Sequence, residues 1–415
     1  MTRTSALFAA LVVLALGAVL VFALSPAPPD LDEAVRLAED GYFEESVALL
    51  KQGVERAPSE TRPRMLLAQV LINRFDRQTD HSDLAPIRRA LEHLDAIKPD
   101  TPALTALVLL WKGKAERRLM RLGRARADWV AALKADPTVP EAAWGLLDLD
   151  YLEGRPDHAR AVAMAQVSVE PNPGDRAQLL HELLRQEAQP PAPESLILIF
   201  EPMLKAQPDD PDVRRGMGLA LVRDGHDVDR GLDLLAADVD AHPGDPEAWE
   251  FYLGALDLGN RADVLTDVLP TLPNTLAEDP RFARYFGLVA QERGDWKSAV
   301  EAFRIGLKHL PHDPRLEYRL ARSLNRLGPE NAGEAEALEA CQARHEAAQP
   351  EAYPLFVEAG EAAGLGIKPY PELIARLADQ RERRGRPAEA AAWRSLEQGR
   401  DAGPSGGRPA SREVR

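Results

Sequence analysis

The feature that most constrains this chain is a proline that returns at nearly even steps along its length. The steps run from 34 to 41 residues, and the positions are Pro58, Pro99, Pro137, Pro171, Pro208, Pro243, Pro280, Pro314 and Pro350. Between successive prolines lie two stretches of helical period joined by a turn that contains glycine. Self-similarity at this period is typical of stacked helix-turn-helix repeats. The sequence therefore predicts an all-α array of helix hairpins.

The clearest copy of the repeat runs from Arg281 to Pro314. Its defining residues are a large–small pair, a turn glycine, a small residue where the helices cross, an aromatic and a proline: Phe286, Gly287, Gly294, Ala299, Phe303 and Pro311. Small residues are needed there because paired helix axes approach to about 8–10 Å. In this pattern the copy resembles the tetratricopeptide repeat, in the form found in membrane-anchored proteins of the bacterial envelope.

The resemblance covers residues 31–399 in roughly ten copies. It implies a tetratricopeptide-like α-solenoid, a right-handed superhelix in which each repeat packs only on its neighbours. A polar outer face is expected on the last helices, with Arg381 among its residues, and residues 400–415 are expected to be a disordered tail. The fifth copy departs from the pattern, since Gln189, Pro190, Pro191, Ala192 and Pro193 replace its turn.

A second informative segment lies near the start of the chain. After a short tail of residues 1–5, Ala6–Leu24 is an unbroken apolar run of nineteen residues. A helix of that length spans roughly 28 Å, close to the hydrocarbon thickness of a bilayer. We expect a transmembrane anchor, followed by a proline-rich linker over residues 25–30. The alternative is a secretory signal that is cleaved after Ala23.

Charge around the apolar run predicts its orientation. Arg3 precedes the run, whereas Asp30, Asp32 and Glu33 follow it. Because Lys and Arg prefer the cytoplasmic side, the amino terminus is expected in the cytoplasm and the repeats in the periplasm, tethered to the inner membrane by a single pass. If the signal is cleaved, the repeats are instead secreted.

Composition and motifs argue against several function classes. The formal net charge of -15 disfavours nucleic-acid binding, which needs a basic surface. The sequence contains no HExxH, CxxC or Gly-Lys-Ser/Thr phosphate loop, so we predict no enzyme, no cofactor and no metal. His309 and His312 flank Pro311 without a third ligand fixed nearby, and they are interpreted as exposed residues at a helix end. The single Cys341 permits no internal disulfide.

In the family that the repeats resemble, the first helices line a concave groove. The groove positions carried over from the resemblance are Arg281, Arg284, Gln291, Arg315, Tyr318, Arg322, Asn325 and Arg326. Guanidinium groups at these positions would hold an acidic or carboxylate-bearing peptide by charge-assisted hydrogen bonds. The alternative is that the arginines pair with Glu247, Glu250, Asp257 and other acids of the protein itself.

Two further surfaces were candidates for a partner. Trp144 and Tyr151 are expected to project from the first helix of the fourth copy, unless Trp144 is buried against the preceding repeat. A basic run extends from Lys112 to Arg126 with one acid, Glu116, among seven cations. It would contact an anionic polymer or lipid head groups, or form a solvated helix face.

Together the anchor and the repeats imply a membrane-tethered scaffold or adaptor for protein–protein interaction in the bacterial envelope. Tethering would concentrate a partner segment held in the groove. The alternative function is an export or assembly subunit of a polysaccharide or secretion system that contacts an anionic polymer directly.

Overall fold

The computed structural model of the chain describes residues 30–364 and 370–398. The regular elements of this part of the chain are all helical, as the repeat period predicts. It forms two compact units, of which the first ends at Pro99 and the second begins at Asp100. Between residues 30 and 398, no helix of the described part is long and apolar enough to cross a membrane. The expected anchor at residues 6–24 and the expected tail at residues 400–415 lie outside the described residues.

Among its described residues, the first unit contains four helices that pack in chain order. They are α1 (Leu31–Glu39), α2 (Phe43–Arg56), α3 (Thr61–Arg77) and α4 (Ala85–Asp95). Their apolar stripes meet in a core in which Leu50, Leu67 and Ile87 are fully buried. Within this core Ser46 donates a hydrogen bond of 2.7 Å to the carbonyl of Ala34, which ties α2 to α1.

The second unit contains eighteen helices among the described residues. They are α5 (Pro102–Arg118), α6 (Leu122–Ala135), α7 (Pro140–Glu153), α8 (Pro156–Val169), α9 (Pro173–Ala188), α10 (Pro193–Ala206), α11 (Pro211–Asp224), α12 (Val228–Ala241), α13 (Pro246–Leu258), α14 (Ala262–Val268), α15 (Asn274–Ala277), α16 (Ala283–Glu292), α17 (Trp296–His309), α18 (Pro314–Leu327), α19 (Ala332–Ala348), α20 (Ala352–Gly364), α21 (Pro371–Arg383) and α22 (Pro387–Gln398). Short 3₁₀ turns lie at Leu269–Thr271, Pro280–Phe282 and Pro329–Asn331.

Prolines and acidic caps set where many of these helices begin. Pro314 occupies the first turn of α18, where a missing backbone donor costs nothing. The carboxylate of Asp313 accepts hydrogen bonds of 2.9 Å from the backbone amides of Arg315 and Leu316. This side chain satisfies two of the amides that a helix start leaves unpaired. The periodic prolines therefore mark helix boundaries without interrupting a helix.

The clearest repeat, α16 and α17, shows why its residue sizes matter. Phe303 is fully buried and packs against the backbone of Gly287, where an added Cβ would lie 2.6 Å from the ring. Ala299 is also fully buried, and Gly294 ends the first helix with a φ of +72°. Phe286, expected as the large residue of the buried pair, is instead 37 % exposed. The neighbouring Tyr285 is the residue that fills the core.

The close packing at Gly287 gives a stability prediction. Gly287→Ala should destabilise the fold by about 1–3 kcal/mol despite the better helix propensity of alanine, because the methyl group overlaps the Phe303 ring. The same substitution at Gly333, where an added Cβ meets nothing within 4 Å, should stabilise α19 by up to about 1 kcal/mol. Denaturant unfolding of the two variants measures both effects. Equal changes at the two sites would contradict the packing argument.

The helices of the second unit close on themselves. α7 packs against α8 and also against α11, so two series of helices leave from it. One series continues through α8 and α9, and the other through α11 to α19. They meet again because α20 packs against α9, α21 packs against α19, and α22 packs against α8 and α9. The expectation that each repeat contacts only its sequence neighbours is therefore wrong for this unit, which is a closed ring of helices.

An apolar core seals the ring between α9 and α20. Leu180 and Leu183 of α9 pack with Leu355 and Ala359 of α20 in one buried cluster. The irregular fifth copy explains the contact, because α10 packs against α11 and leaves α20 to cover α9. The side of α9 that a following repeat would cover in an open stack is thus covered by helices from much later in the chain.

A buried ion cluster lies at the edge of this core. Glu187 of α9 receives Arg381 at 2.6 Å, Arg384 at 2.9 Å and Arg386, all from the α21–α22 hairpin. Burial alone would raise the pKa of Glu187, but these guanidinium groups outweigh it and lower the pKa to about 2. Arg381 is only 1 % exposed, so the expectation that it belongs to a polar outer face is wrong. It is desolvated because α9 covers the hairpin.

Glu187 should contribute stability that depends on pH. Its pKa is about 2 in the folded protein and 4.5 as an ordinary value, so the contribution is complete above pH 4.5 and is lost as pH falls towards 2. The difference corresponds to about 3 kcal/mol. Glu187→Gln should cost about 3–5 kcal/mol at neutral pH, because three cations lose their shared partner. The difference in the free energy of unfolding between this variant and the wild type should become smaller below pH 4.5.

Urea unfolding at several pH values measures this effect. Glu201→Gln is the matched control, since Glu201 pairs with Arg230 on the surface and should change stability by less than about 1 kcal/mol. A Glu187 effect as small as the control, or one independent of pH, would show that the ion cluster does not stabilise the ring.

Candidate partner-binding groove

A pocket of about 570 Å³ opens between α13, α14, α16, α18 and α19. Five arginines and three carboxylates line it, so its charge is opposite to that of the whole chain. The charged lining residues are Arg261, Arg315, Arg319, Arg322, Arg384, Asp257, Glu292 and Glu346. A cationic recess on an acidic protein is a site at which an anionic group would be attracted.

One stripe of α18 supplies the centre of the pocket. Tyr318 and Arg319 each stand three or four residues from Arg315 and from Arg322, so the four side chains share a face of the helix. Leu316, Leu320 and Leu324 form the opposite, buried stripe. The strong separation of polar and apolar faces fixes the rotation of α18 and aims the arginines into the recess.

The pocket arginines differ in what they are already bound to. Arg319 donates to the carboxylate of Asp257 at 2.7 Å, and Arg384 donates to the backbone carbonyl of His345 at 2.8 Å. By contrast, Arg315 and Arg322 are exposed, and neither forms an ion pair with a carboxylate of residues 30–364 or 370–398. Tyr318 lies between them and is 49 % exposed. These three side chains are the ones available to a ligand.

A second arginine lies near Arg315. Arg223 of α11 donates a hydrogen bond of 3.1 Å to the carbonyl of Gly154. Burial, and secondarily the charge of Arg315, lowers the pKa of the Arg223 guanidinium. The two like charges therefore repel each other, and an anion placed near Arg315 would relieve that repulsion.

Of the eight expected groove residues, the structure brings four into this pocket: Gln291, Arg315, Tyr318 and Arg322. Gln291 has a positioning role, because its amide donates to the carbonyl of Arg319 at 3.1 Å and to the hydroxyl of Ser323 at 2.7 Å. It thereby holds α18 against α16.

The other four expected groove residues do not line the pocket. Arg281 pairs with Asp279 at 2.6 Å, and Arg284 donates to the Tyr285 hydroxyl beside Glu250. Asn325 donates to Glu339 at 3.0 Å, and the guanidinium of Arg326 lies 5.9 Å from the centre of the Trp296 ring. Arg284 therefore pairs with an acid of the protein itself, Glu250, which is the alternative that the sequence left open.

The aromatic candidates of the fourth copy are held by neighbouring elements. Trp144 is partly buried and packs against the core cluster that seals the ring. The hydroxyl of Tyr151 donates to the carbonyl of Gln189 at 2.9 Å, and the guanidinium of Arg185 lies 4.2 Å from the centre of its ring. Tyr151 therefore ties α7 to the end of α9, and Trp144 adds to the buried cluster.

The basic run at Lys112–Arg126 is largely neutralised. Arg117 pairs with Asp148 at 2.6 Å, and Arg121 pairs with Glu116 at 3.2 Å. Arg126 is buried and donates to three carboxylates, those of Asp150, Glu153 and Asp212. It therefore joins α6 to α7 and α11 and does not lie on a solvated helix face.

Comparison with known proteins adds little to this geometry. No protein-family model matches the sequence, and no curated protein matches it. Among solved structures, the chain resembles the Cut9–Hcn1 hetero-tetramer of the APC/C, with 15 % identity, coverage of 89 % of this chain and 73 % of that chain, and a TM-score of 0.33. Yeast Tom70 matches with 13 % identity, coverage of 91 % of each chain and a TM-score of 0.32.

The TPR domain of P58(IPK) is a third similar structure. Its identity is 15 %, the match covers 90 % of this chain and 99 % of that chain, and the TM-score is 0.24. Scores this low carry no argument about function or about the whole architecture.

Proposed function

We propose that this protein is a non-enzymatic helical-repeat scaffold that holds a carboxylate-bearing segment of a partner protein in the pocket of α18. The observation that supports it most is the pair Arg315 and Arg322, two exposed guanidinium groups without an ion pair among the described residues, on one face of α18. Seven residues of helix separate them by about 10 Å, so an extended acidic peptide contacts both. Tyr318 between them offers an aromatic surface for an apolar side chain.

The proposal includes a tether. The apolar run Ala6–Leu24 anchors the scaffold in the inner membrane, and the repeats lie on the periplasmic side. Tethering raises the local concentration of a weakly bound partner segment near the membrane, which suits an assembly role in the envelope.

A photo-crosslinking amino acid in place of Tyr318 tests the groove in intact cells. Mass spectrometry of the adduct identifies the bound segment, which is then synthesised with a free or an amidated carboxyl terminus. Arg315→Glu with Arg322→Glu should weaken binding of the acidic segment by more than about 100-fold, because each charge-assisted hydrogen bond contributes about 1.5–3 kcal/mol. Fluorescence anisotropy with the full-length protein measures the affinity.

A matched double variant controls for total charge. Arg304→Glu with Arg326→Glu changes the net charge equally, and Arg304 pairs with Glu334 outside the pocket. This control should bind the segment with nearly wild-type affinity. If both double variants lose binding equally, the pocket is not the binding site. If the groove variant instead loses an anionic polysaccharide and keeps the peptide, the alternative of an export subunit is the better description.

A topology reporter fused after Arg415 tests the tether. We expect activity from a reporter that functions only outside the cytoplasm, together with membrane association that persists in high salt. A reporter active in the cytoplasm would reject the proposed orientation. A periplasmic reporter on a protein released from the membrane would favour cleavage after Ala23.

A further inference from the structure

Four side chains with metal-binding atoms meet beside the α17–α18 turn. They are His312, Glu317, Cys341 and His345, and one ligand atom from each lies within 4.8 Å of every other. No step of the groove proposal uses them, and none lines the pocket between α13 and α19.

Three separate segments place these four residues. Cys341 and His345 stand four residues apart on α19, so they point from the same face of that helix. Glu317 comes from the first turn of α18, and His312 comes from the turn before it. His312 has a φ of +64°, a conformation that few residues other than glycine adopt. Such a conformation persists where its surroundings hold it in place.

The spacing of the ligand atoms suits a small tetrahedral ion. The Cys341 Sγ lies 3.3 Å from Glu317 Oε1 and 3.7 Å from His345 Nε2. His312 Nδ1 lies 3.8 Å from the same Oε1. An ion bound at about 2.0–2.3 Å from each ligand separates tetrahedral ligand atoms by about 3.3–3.8 Å. The remaining separations are no longer than 4.8 Å, so a small contraction brings the four atoms to tetrahedral spacing.

Two buried atoms of the cluster have no hydrogen-bond partner among the described residues. They are Oε2 of Glu317, which is 4 % exposed, and Nδ1 of His345, which is 3 % exposed. Buried polar atoms are normally paired, since leaving them unpaired costs free energy. These two atoms lie 3.5 Å apart. A cation bound by Nε2 of His345 and Oε1 of Glu317 would fix the proton of His345 on Nδ1, where it faces Oε2 as a hydrogen-bond donor.

Metal ligation uses the neutral imidazole and the thiolate form of cysteine, so a bound dication would displace the thiol proton of Cys341 to solvent and hold the thiolate.

The surroundings leave a route into the cluster. The α21–α22 turn covers it so closely that a Cβ on Gly385 would lie 2.4 Å from the Cβ of His312 and 2.9 Å from Nε2 of His345. His312 and His345 also line a pocket of about 470 Å³ through which an ion can enter. Of the nearby cations, Arg384 and Arg386 pair with Glu187, which they share with Arg381.

We propose that His312, Glu317, Cys341 and His345 bind one zinc ion. Two imidazoles, a thiolate and a carboxylate form a mixed ligand set that suits Zn²⁺, and the two anionic ligands balance its charge. Four protein ligands complete a tetrahedral shell, which is the arrangement of structural zinc sites. The ion joins the α17–α18 turn to α19 beneath the α21–α22 turn. This site is independent of the peptide groove, so either proposal can fail without the other.

Zinc content and affinity test the site directly in the full-length protein. After incubation with Zn²⁺ and removal of excess metal, we expect elemental mass spectrometry to find one zinc ion per chain. Cys341→Ser and His345→Ala should each weaken zinc binding by more than about 100-fold, since loss of a group that only orients a ligand already costs about 10–100-fold. His309→Ala removes a nearby histidine outside the cluster and should bind zinc like the wild type.

Cobalt gives a readout that reports the ligand identity. The chain has a single cysteine, so a thiolate-to-cobalt charge-transfer band on Co²⁺ loading can come only from Cys341. We expect this band with the intense visible bands of tetrahedral Co²⁺, and both should disappear when Zn²⁺ is added. His312→Asn preserves the fold, because asparagine tolerates positive φ, and it should alter the visible bands.

Circular dichroism confirms that each variant is folded before the metal is measured. A folded wild-type protein that binds no zinc above background, or weak octahedral cobalt bands without charge transfer, would overturn the proposal. Equal zinc affinity in wild type and Cys341→Ser would overturn it as well.

Discussion

The contact between α9 and α20 is the interaction on which the second unit depends. It buries the leucines of α9 under helices that come much later in the chain, and Glu187 then gathers three arginines of the α21–α22 hairpin. Because those cations are desolvated, loss of their shared carboxylate would leave buried charges without a partner and weaken the closure. The same contact positions Arg384 at the edge of the peptide pocket and places Gly385 against His312 and His345 of the metal cluster.

Local features of the fold could be predicted from the sequence, because each depends on residues close together in the chain. The hairpin of α16 and α17 follows from Gly287, Gly294 and Phe303, whose sizes and spacing specify a close helix crossing. Ring closure could not be predicted, since no repeat period encodes a contact between distant copies. One signal was present, however. The prolines after Gln189 interrupt the pattern at the point where α10 leaves α9 and packs on α11.

The candidate sites show the same division. The helical period alone places Arg315, Tyr318 and Arg322 together, because they lie on one helix. Arg319 fits the same period, but it is not among the groove positions that the resemblance implies. Arg384 reaches the pocket through the ring, which no local pattern shows. For the metal cluster, Cys341 and His345 already stand one helical turn apart. The sequence alone does not predict the site, because Glu317 and α19 meet His312 only after folding, and His309 lies outside the cluster.

Because the ring is closed, the stability of the middle of the chain depends on the last described hairpin. In an open stack, removal of the terminal hairpin destabilises only the adjacent repeat, since each repeat contacts only its neighbours. Here the hairpin of α21 and α22 is a lid for α8 and α9. Truncation of the protein before Pro371 would expose the leucines near residue 180 to water. Hairpins that are distant in sequence therefore depend on each other and unfold together as one cooperative unit.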